Sequence, residues 1–107
     1  MGRAEKFRLA VEEFITGLDP AMGEAPKKRY VAYRVSKNIA CMEVRRQKVT
    51  LFLKLDPTKV GGPSGISRNV SNIGHWGTGD LDVTLKSLED FEAAKPFIRM
   101  AYEEVGG

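Results

Sequence analysis

Apolar residues along this chain follow first a helical and then a strand period. Phe7, Ala10, Val11, Phe14, Ile15 and Leu18 recur at three- and four-residue intervals, with Arg8, Glu12 and Glu13 between them. That spacing predicts an amphipathic helix over about residues 3–18. Gly17 loosens its end and Asp19-Pro20 stops it, because a residue preceding proline is pushed out of the α region. Residues 19–26, with two prolines and a glycine, read as a connection. Tyr30, Val31, Tyr33 and Val35 are strand-forming types, and Ser36-Lys37-Asn38 supplies a turn. Ile39 to Val44 is a second apolar stretch, ended by Arg45-Arg46-Gln47. Val49, Leu51, Leu53 and Leu55 then alternate with Thr50, Phe52 and Lys54, the period of two that puts alternate side chains on opposite faces. Two antiparallel hairpins joining three sequential strands follow from this pattern, with the 36–38 and 45–47 turns at opposite ends.

Asp56-Pro57 opens a loop through Gly61-Gly62-Pro63-Ser64-Gly65. Ile66, Val70 and Ile73 are four and three apart, which predicts a short helix or turn dipping into the core. Leu81, Val83 and Leu85 alternate with Asp82 and Thr84 and predict a fourth strand. Ser87 is a good helix cap, with Asp90 three residues on, and Leu88, Phe91, Ala94, Ile98, Ala101, Tyr102 and Val105 form an apolar stripe behind it. Pro96 interrupts the stripe, so the helix either kinks there or restarts with Pro96 in its first turn. The resulting order is α-β-β-β-short α-β-α without internal repeat. It predicts one α+β domain over residues 1–107, in two layers: an antiparallel sheet of about four strands with the N- and C-terminal helices packed on one face.

Composition narrows the function classes. With 107 residues, 42% hydrophobic and 29% charged, the chain has the make-up of a folded domain and not of a disordered tail. One Cys and one His rule out a tetrahedral Cys/His zinc site within the chain and any internal disulfide. No apolar run reaches the roughly 18–20 residues needed to cross a bilayer, so no membrane partner is expected. The segment Met1–Lys6 lacks the apolar stretch of a secretory signal, and the lone Cys41 suits a reducing compartment. A cytoplasmic protein is expected. The charge is unevenly spread. Residues 1–26 carry three basic and five acidic side chains (−2), residues 27–68 eleven and two (+9), and residues 69–107 three and seven (−4). A basic centre between acidic ends points to polyanions more strongly than the overall +3 does.

Two groups of residues carry candidate chemistry. The first is the glycine-rich segment Asn72, Gly74, His75, Trp76, Gly77, Gly79 and Asp80, which holds the chain's only His and only Trp side by side. Glycines let successive backbone N–H groups converge on an anion, Trp76 offers a ring for stacking, and His75 titrates near neutrality. The G-x-x-G-x-G spacing leads into a strand, so it is neither a dinucleotide fingerprint nor a phosphate-binding P-loop. A tight loop in which Trp76 caps the sheet and His75 and Asp80 tie it down is the structural counterpart of the ligand-binding reading. Asp80, Asp82 and His75 offer at most a weak metal site, solvated carboxylates being the commoner reading, and neither a metal nor a cofactor is assigned. Cys41, among Ile39, Ala40 and Met42, reads as a buried inert thiol and not as half of a Cys–His pair. The second group is basic: Lys27, Lys28, Arg29, Arg34, Lys37, Arg45, Arg46 and Lys48. It reads either as a phosphate-contacting surface or as a solvated sheet face and turns balanced by the acidic helices.

Ala32-Tyr33-Arg34, the Leu51-x-Leu53-x-Leu55 strand, the stretch from Val70 to Asp80 with its Ile-Gly-His-x-Gly-x-Gly-Asp core, and Ser87 to Phe91 through Pro96, Ile98 and Ala101-Tyr102-Glu103 resemble a bacterial and archaeal family. It is domain of unknown function 5655, sometimes labelled a predicted transport protein, and the resemblance runs from about residue 7 to 104. It implies no catalytic residues. Its members stand alone or are joined to larger proteins, some resembling nuclease or restriction components. The element order is also similar to that of small iron-chaperone-like α+β proteins, although the acidic ridge for iron is missing. A non-enzymatic accessory or regulatory binding module is expected, using the 72–80 loop for a ligand or another protein, with the basic 27–48 region attracting nucleic acid or another polyanion. The alternatives are a small-molecule-binding or hydrolytic protein using the His75 loop, and an oligomerisation domain. Both monomer and homodimer remain open.

Overall fold

The computed structural model describes residues 4–35, 37–45, 47–60, 65–70 and 80–105. Helix α1 (Ala4–Thr16) is followed by β1 (Gly23–Pro26), β2 (Val31–Arg34), β3 (Asn38–Val44), β4 (Val49–Leu53), the single turn α2 (Pro57–Val60), β5 (Ser67–Asn69), β6 (Leu81–Leu85) and the long helix α3 (Leu88–Val105). The strands form one antiparallel sheet in the order β1-β2-β3-β4-β6-β5. The fold is therefore α+β as expected, with six strands among the described residues in place of about four.

Both extra strands lack a hydrophobic signature of their own. Gly23–Pro26, expected to be a connection, is an edge strand defined by its pairing with β2, Glu24 opposite Tyr33 and Pro26 opposite Val31. Proline is tolerated there because a sheet edge does not need its missing N–H. Ser67–Asn69 falls where a short helix or turn was expected; it pairs with β6, Arg68 opposite Asp82, and a short helix lies instead at residues 57–60. Asp56 caps that turn, accepting from the Thr58 N–H at 3.0 Å and its hydroxyl at 2.6 Å. Gly65 precedes β5 with φ of 81°, a left-handed conformation that favours glycine.

Alternate residues of the strands build the core. Ala40 and Met42 of β3, Val49, Leu51 and Leu53 of β4, and Leu81, Val83 and Leu85 of β6 are buried against α1 and α3. The α1 stripe supplies Val11 and Ile15, and α3 supplies Phe91, Ala94, Ile98 and Ala101. Phe14 meets Phe91 edge-to-face with centroids 5.9 Å apart, and Lys95 Nζ lies 4.8 Å from the Phe91 centroid. The Ser87 cap forms: Asp90 N–H donates to Ser87 Oγ at 3.2 Å, while Lys86 N–H donates to Asp90 Oδ2 at 2.9 Å. One continuous helix runs through Pro96, whose exposed position leaves the sheet-facing residues on both sides in register. Proline in a helix interior costs about 3 kcal/mol; burial of Ala94, Ile98 and Ala101 offsets it.

Two polar contacts fasten the first helix and its connection to the rest. Tyr102 Oη donates to Asp19 Oδ2 at 2.7 Å, tying the α1–β1 connection to the last turns of α3. That bond, with a second from the Ala21 N–H, holds the Asp19 carboxyl below its ordinary range. The fully buried Tyr33 donates to Glu12 Oε1 at 3.4 Å, and burial pushes its hydroxyl pKa well above the usual value. Beside it, Glu24 of β1 shares a hydrogen bond with Glu12 of α1. That bond raises the Glu24 pKa, with desolvation and the Glu12 charge adding to it. A carboxyl raised in the folded state contributes stability at acid pH that is lost as pH rises past its folded value. Glu24→Gln keeps a hydrogen-bond donor towards Glu12 without needing the proton. It is expected to raise the melting temperature at neutral pH, with the gain shrinking as pH falls into the ordinary glutamate range. Thermal melts across that range check this, and a gain independent of pH counts against it.

Candidate functional site

The helices occupy one face of the sheet, and the residues that alternate with the core line the other. A cross-strand row runs Ala32, Cys41, Phe52, Asp82, Arg68 over β2, β3, β4, β6 and β5. Its apolar half forms a second small cluster of Ala32, Cys41, Phe52 and Val70, with Tyr30 and Ala25 packed against it. Cys41 is a buried free thiol. The neighbouring row is polar, with Glu43 opposite Thr50 and Thr50 opposite Thr84. A hollow of about 1240 Å³ opens over this polar half.

Charge in the hollow is arranged in layers. Glu43, Thr50 and Asp82 are only 8%, 6% and 6% exposed, although they are polar or charged. Arg45 Nε donates to Glu43 Oε1 at 2.9 Å, and Arg68 Nη2 to Asp82 Oδ2 at 3.0 Å, each arginine side chain being largely exposed. Thr84 Oγ1 donates to Asp82 Oδ1 at 3.3 Å. The solvated Asp82 expected from sequence is thus corrected: it is buried and paired, because β5 adds a strand beyond β6 and brings Arg68 opposite it. Gln47, Lys48, Lys86 and Asp90 also line the hollow. Among the described residues no group of three His, Cys, Asp or Glu side chains is placed to hold a metal ion.

The register sorts the basic candidates into two ends. Pro26 opposite Val31 and Val31 opposite Met42 bring the turn bearing Lys27, Lys28 and Arg29 to the end of the sheet where β3 and β4 close beyond Val44 and Val49. That closure carries Arg45 and Lys48, and Lys86 follows Leu85, the partner of Val49. Lys27, Lys28, Arg29, Arg45 and Lys48 are all exposed. Arg34 pairs with Asn38 and lies with Lys37 at the opposite end. There Lys37, Lys54 and Lys59 line a second hollow of about 430 Å³ with Asp56, Asp80 and Glu104. The β2–β3 and β3–β4 connections therefore stand at opposite ends, as the hairpin reading requires, while Lys27, Lys28 and Arg29 come to the end that carries Arg45 and Lys48. Arg46 lies outside the described residues.

Of the glycine-rich candidates, Asn72, Gly74, His75, Trp76, Gly77 and Gly79 also lie outside the described residues. Asp80 is exposed, and its carbonyl accepts from the Val70 N–H at 2.9 Å, closing the end of the β5–β6 hairpin. The polar row of Glu43, Thr50 and Thr84 was not legible as a candidate, and Asp82 was weighed only as part of a weak metal site. Alternation with buried leucines assigns such positions to solvent, and only their two-residue spacing on neighbouring strands hints that they share a face.

No solved structure matches the chain significantly. An uncharacterised protein of Haemophilus influenzae (strain Rd) is 30% identical over 90 residues, covering 84% of this chain. The match spans 30% of that relative's own length. A family described only as a domain of unknown function (DUF5655) matches residues 7–105. The resemblance seen in the Val70–Asp80 stretch and the terminal helix thus extends over nearly all of the described fold, and the chain belongs to the DUF5655 family.

Proposed function

We propose that this chain is a non-enzymatic binding module that contacts nucleic acid through the cationic end of its sheet. One observation supports the reading above the others: two basic turns, separated in sequence by strands β2 and β3, lie side by side with their side chains exposed. Lys27, Lys28, Lys48 and Lys86 have no ion-pair partner among the described residues, so their charge is available to an outside anion. A solvated face and turns balanced by the acidic helices would explain the exposure but not the clustering, since those helices pack on the other face of the sheet.

Phosphate contacts release condensed counterions, so affinity must fall with salt. Anisotropy titrations of labelled DNA and RNA at about 50 and 200 mM salt test this. With roughly five contacts to a single strand, the affinity is expected to drop about a hundredfold between the two. Absence of binding at the lower salt, or binding insensitive to salt, overturns the proposal.

A further inference from the structure

We propose that the hollow on the open sheet face receives unpaired bases, so that the nucleic acid contacted by this module is single-stranded; this rests on the nucleic-acid reading above. The hollow combines a floor of hydrogen-bond acceptors with a rim of cations. Glu43 and Asp82 form the floor beneath Arg45 and Arg68, which already donate to Glu43 Oε1 and Asp82 Oδ2; a carboxyl group has further lone pairs with which to accept from an entering donor. Arg45, Lys48, Arg68 and Lys86 supply the cations that line it, with the carboxylate of Asp90 beside Lys86. A phosphate entering such a hollow is drawn to the rim and repelled from the floor. A nucleobase has the opposite preference, because the exocyclic amino groups of cytosine and adenine donate towards carboxylates.

Thr50 provides an independent observation. It is 6% exposed, it lines the hollow, and its hydroxyl has no hydrogen-bond partner among the described residues. Burying a hydroxyl without a partner is costly, and one on a residue that lines a hollow can be satisfied by what enters. A duplex cannot exploit this floor. Its base-edge donors are largely spent on pairing, and phosphates lead wherever its surface meets a concavity.

This reasoning predicts a base preference. Cytosine and adenine present an amino group to an acceptor floor, whereas thymine presents one N–H between two carbonyls. Binding of oligo-dC, oligo-dA, oligo-dT, a mixed single strand and its duplex to the full chain tests it at one low salt concentration. The single strand is expected to bind roughly tenfold tighter than its duplex, and oligo-dC and oligo-dA roughly tenfold tighter than oligo-dT, the size of one good base-edge contact. Thr50→Val preserves shape and strand preference. It is expected to lower oligo-dC affinity several-fold while leaving the salt dependence unchanged, because the phosphate contacts remain. Asp82→Asn replaces an acceptor-only group by an amide and is expected to narrow the dC-to-dT ratio. Salt-dependent binding with equal or greater affinity for the duplex overturns this inference and leaves the broader reading standing. A dC-to-dT ratio that both variants leave unchanged overturns it as well. No binding of any oligonucleotide at low salt overturns both.

Discussion

Reversing the charge of Lys27, Lys28 and Lys48 together is expected to weaken single-stranded nucleic-acid binding by a hundredfold or more at low salt. Each phosphate contact to a single strand contributes about 0.7 to the slope of log affinity against log salt, so losing three flattens it by about 2. At about 0.05 M salt, twenty-fold below a molar reference, that change alone corresponds to a few hundredfold. Glutamates facing phosphates add repulsion. The decisive control reverses Lys37, Lys54 and Lys59, which lie at the other end of the sheet. Both triple variants change the net charge by the same amount, so any long-range attraction falls equally in the two. A large loss confined to the first variant locates the contact at the end shared by the β1–β2 and β3–β4 turns. Equal losses would mean that the attraction belongs to the whole-chain charge and that no site exists there. All substituted side chains are exposed, so circular dichroism spectra are expected to match the parent.

Leu51→Ala is expected to cost about 2–5 kcal/mol of unfolding free energy. Leu51 is fully buried at the centre of β4, with buried Met42 and Val83 as its cross-strand partners. Hydrogen-bonded strands on both sides keep the backbone from closing over the vacated volume, and α1 and α3 hold the layer above it. A domain of this size has about 5–15 kcal/mol to lose, so the variant approaches the limit of folding. Leu9→Ala supplies the contrast: its side chain is 54% exposed on α1 and should cost under about 0.5 kcal/mol. Urea denaturation measures both. A Leu51→Ala cost near that of Leu9→Ala would mean that the helix-covered face is not the principal core.

The legible part of the fold is the part written in periodicity. The Val49–Leu55 alternation identified β4 and its buried face, and the three- and four-residue spacing identified α1 and α3. Pro96 left two possibilities for α3, and the continuous helix is decided by the packing of Ala94, Ile98 and Ala101 on either side of it. The strands Gly23–Pro26 and Ser67–Asn69 were not legible. Neither alternates apolar and polar residues, and each exists because a neighbouring strand offers an unpaired edge. The candidate site was legible only in its charges. The basic types between residues 27 and 48 stand out in the sequence, but their division between two ends depends on which residues face each other across β2, β3 and β4. The His75 loop, singled out by composition, lies outside the described residues apart from Asp80.

Local information in the chain was sufficient for the α+β class, the packing of both terminal helices on one face, the meander of β2, β3 and β4, and the basic character of the middle segment. These follow from side-chain spacing and turn chemistry, which act over a few residues. Tertiary pairing alone decided the two edge strands, the burial of Glu43, Thr50 and Asp82 beneath exposed arginines, and the meeting of Lys27, Lys28 and Arg29 with Arg45 and Lys48. The physical reason is that register is a relation between strands. A side chain's periodicity indicates which face it takes, but only the strand hydrogen-bonded beside it determines what it faces there and whether it is covered.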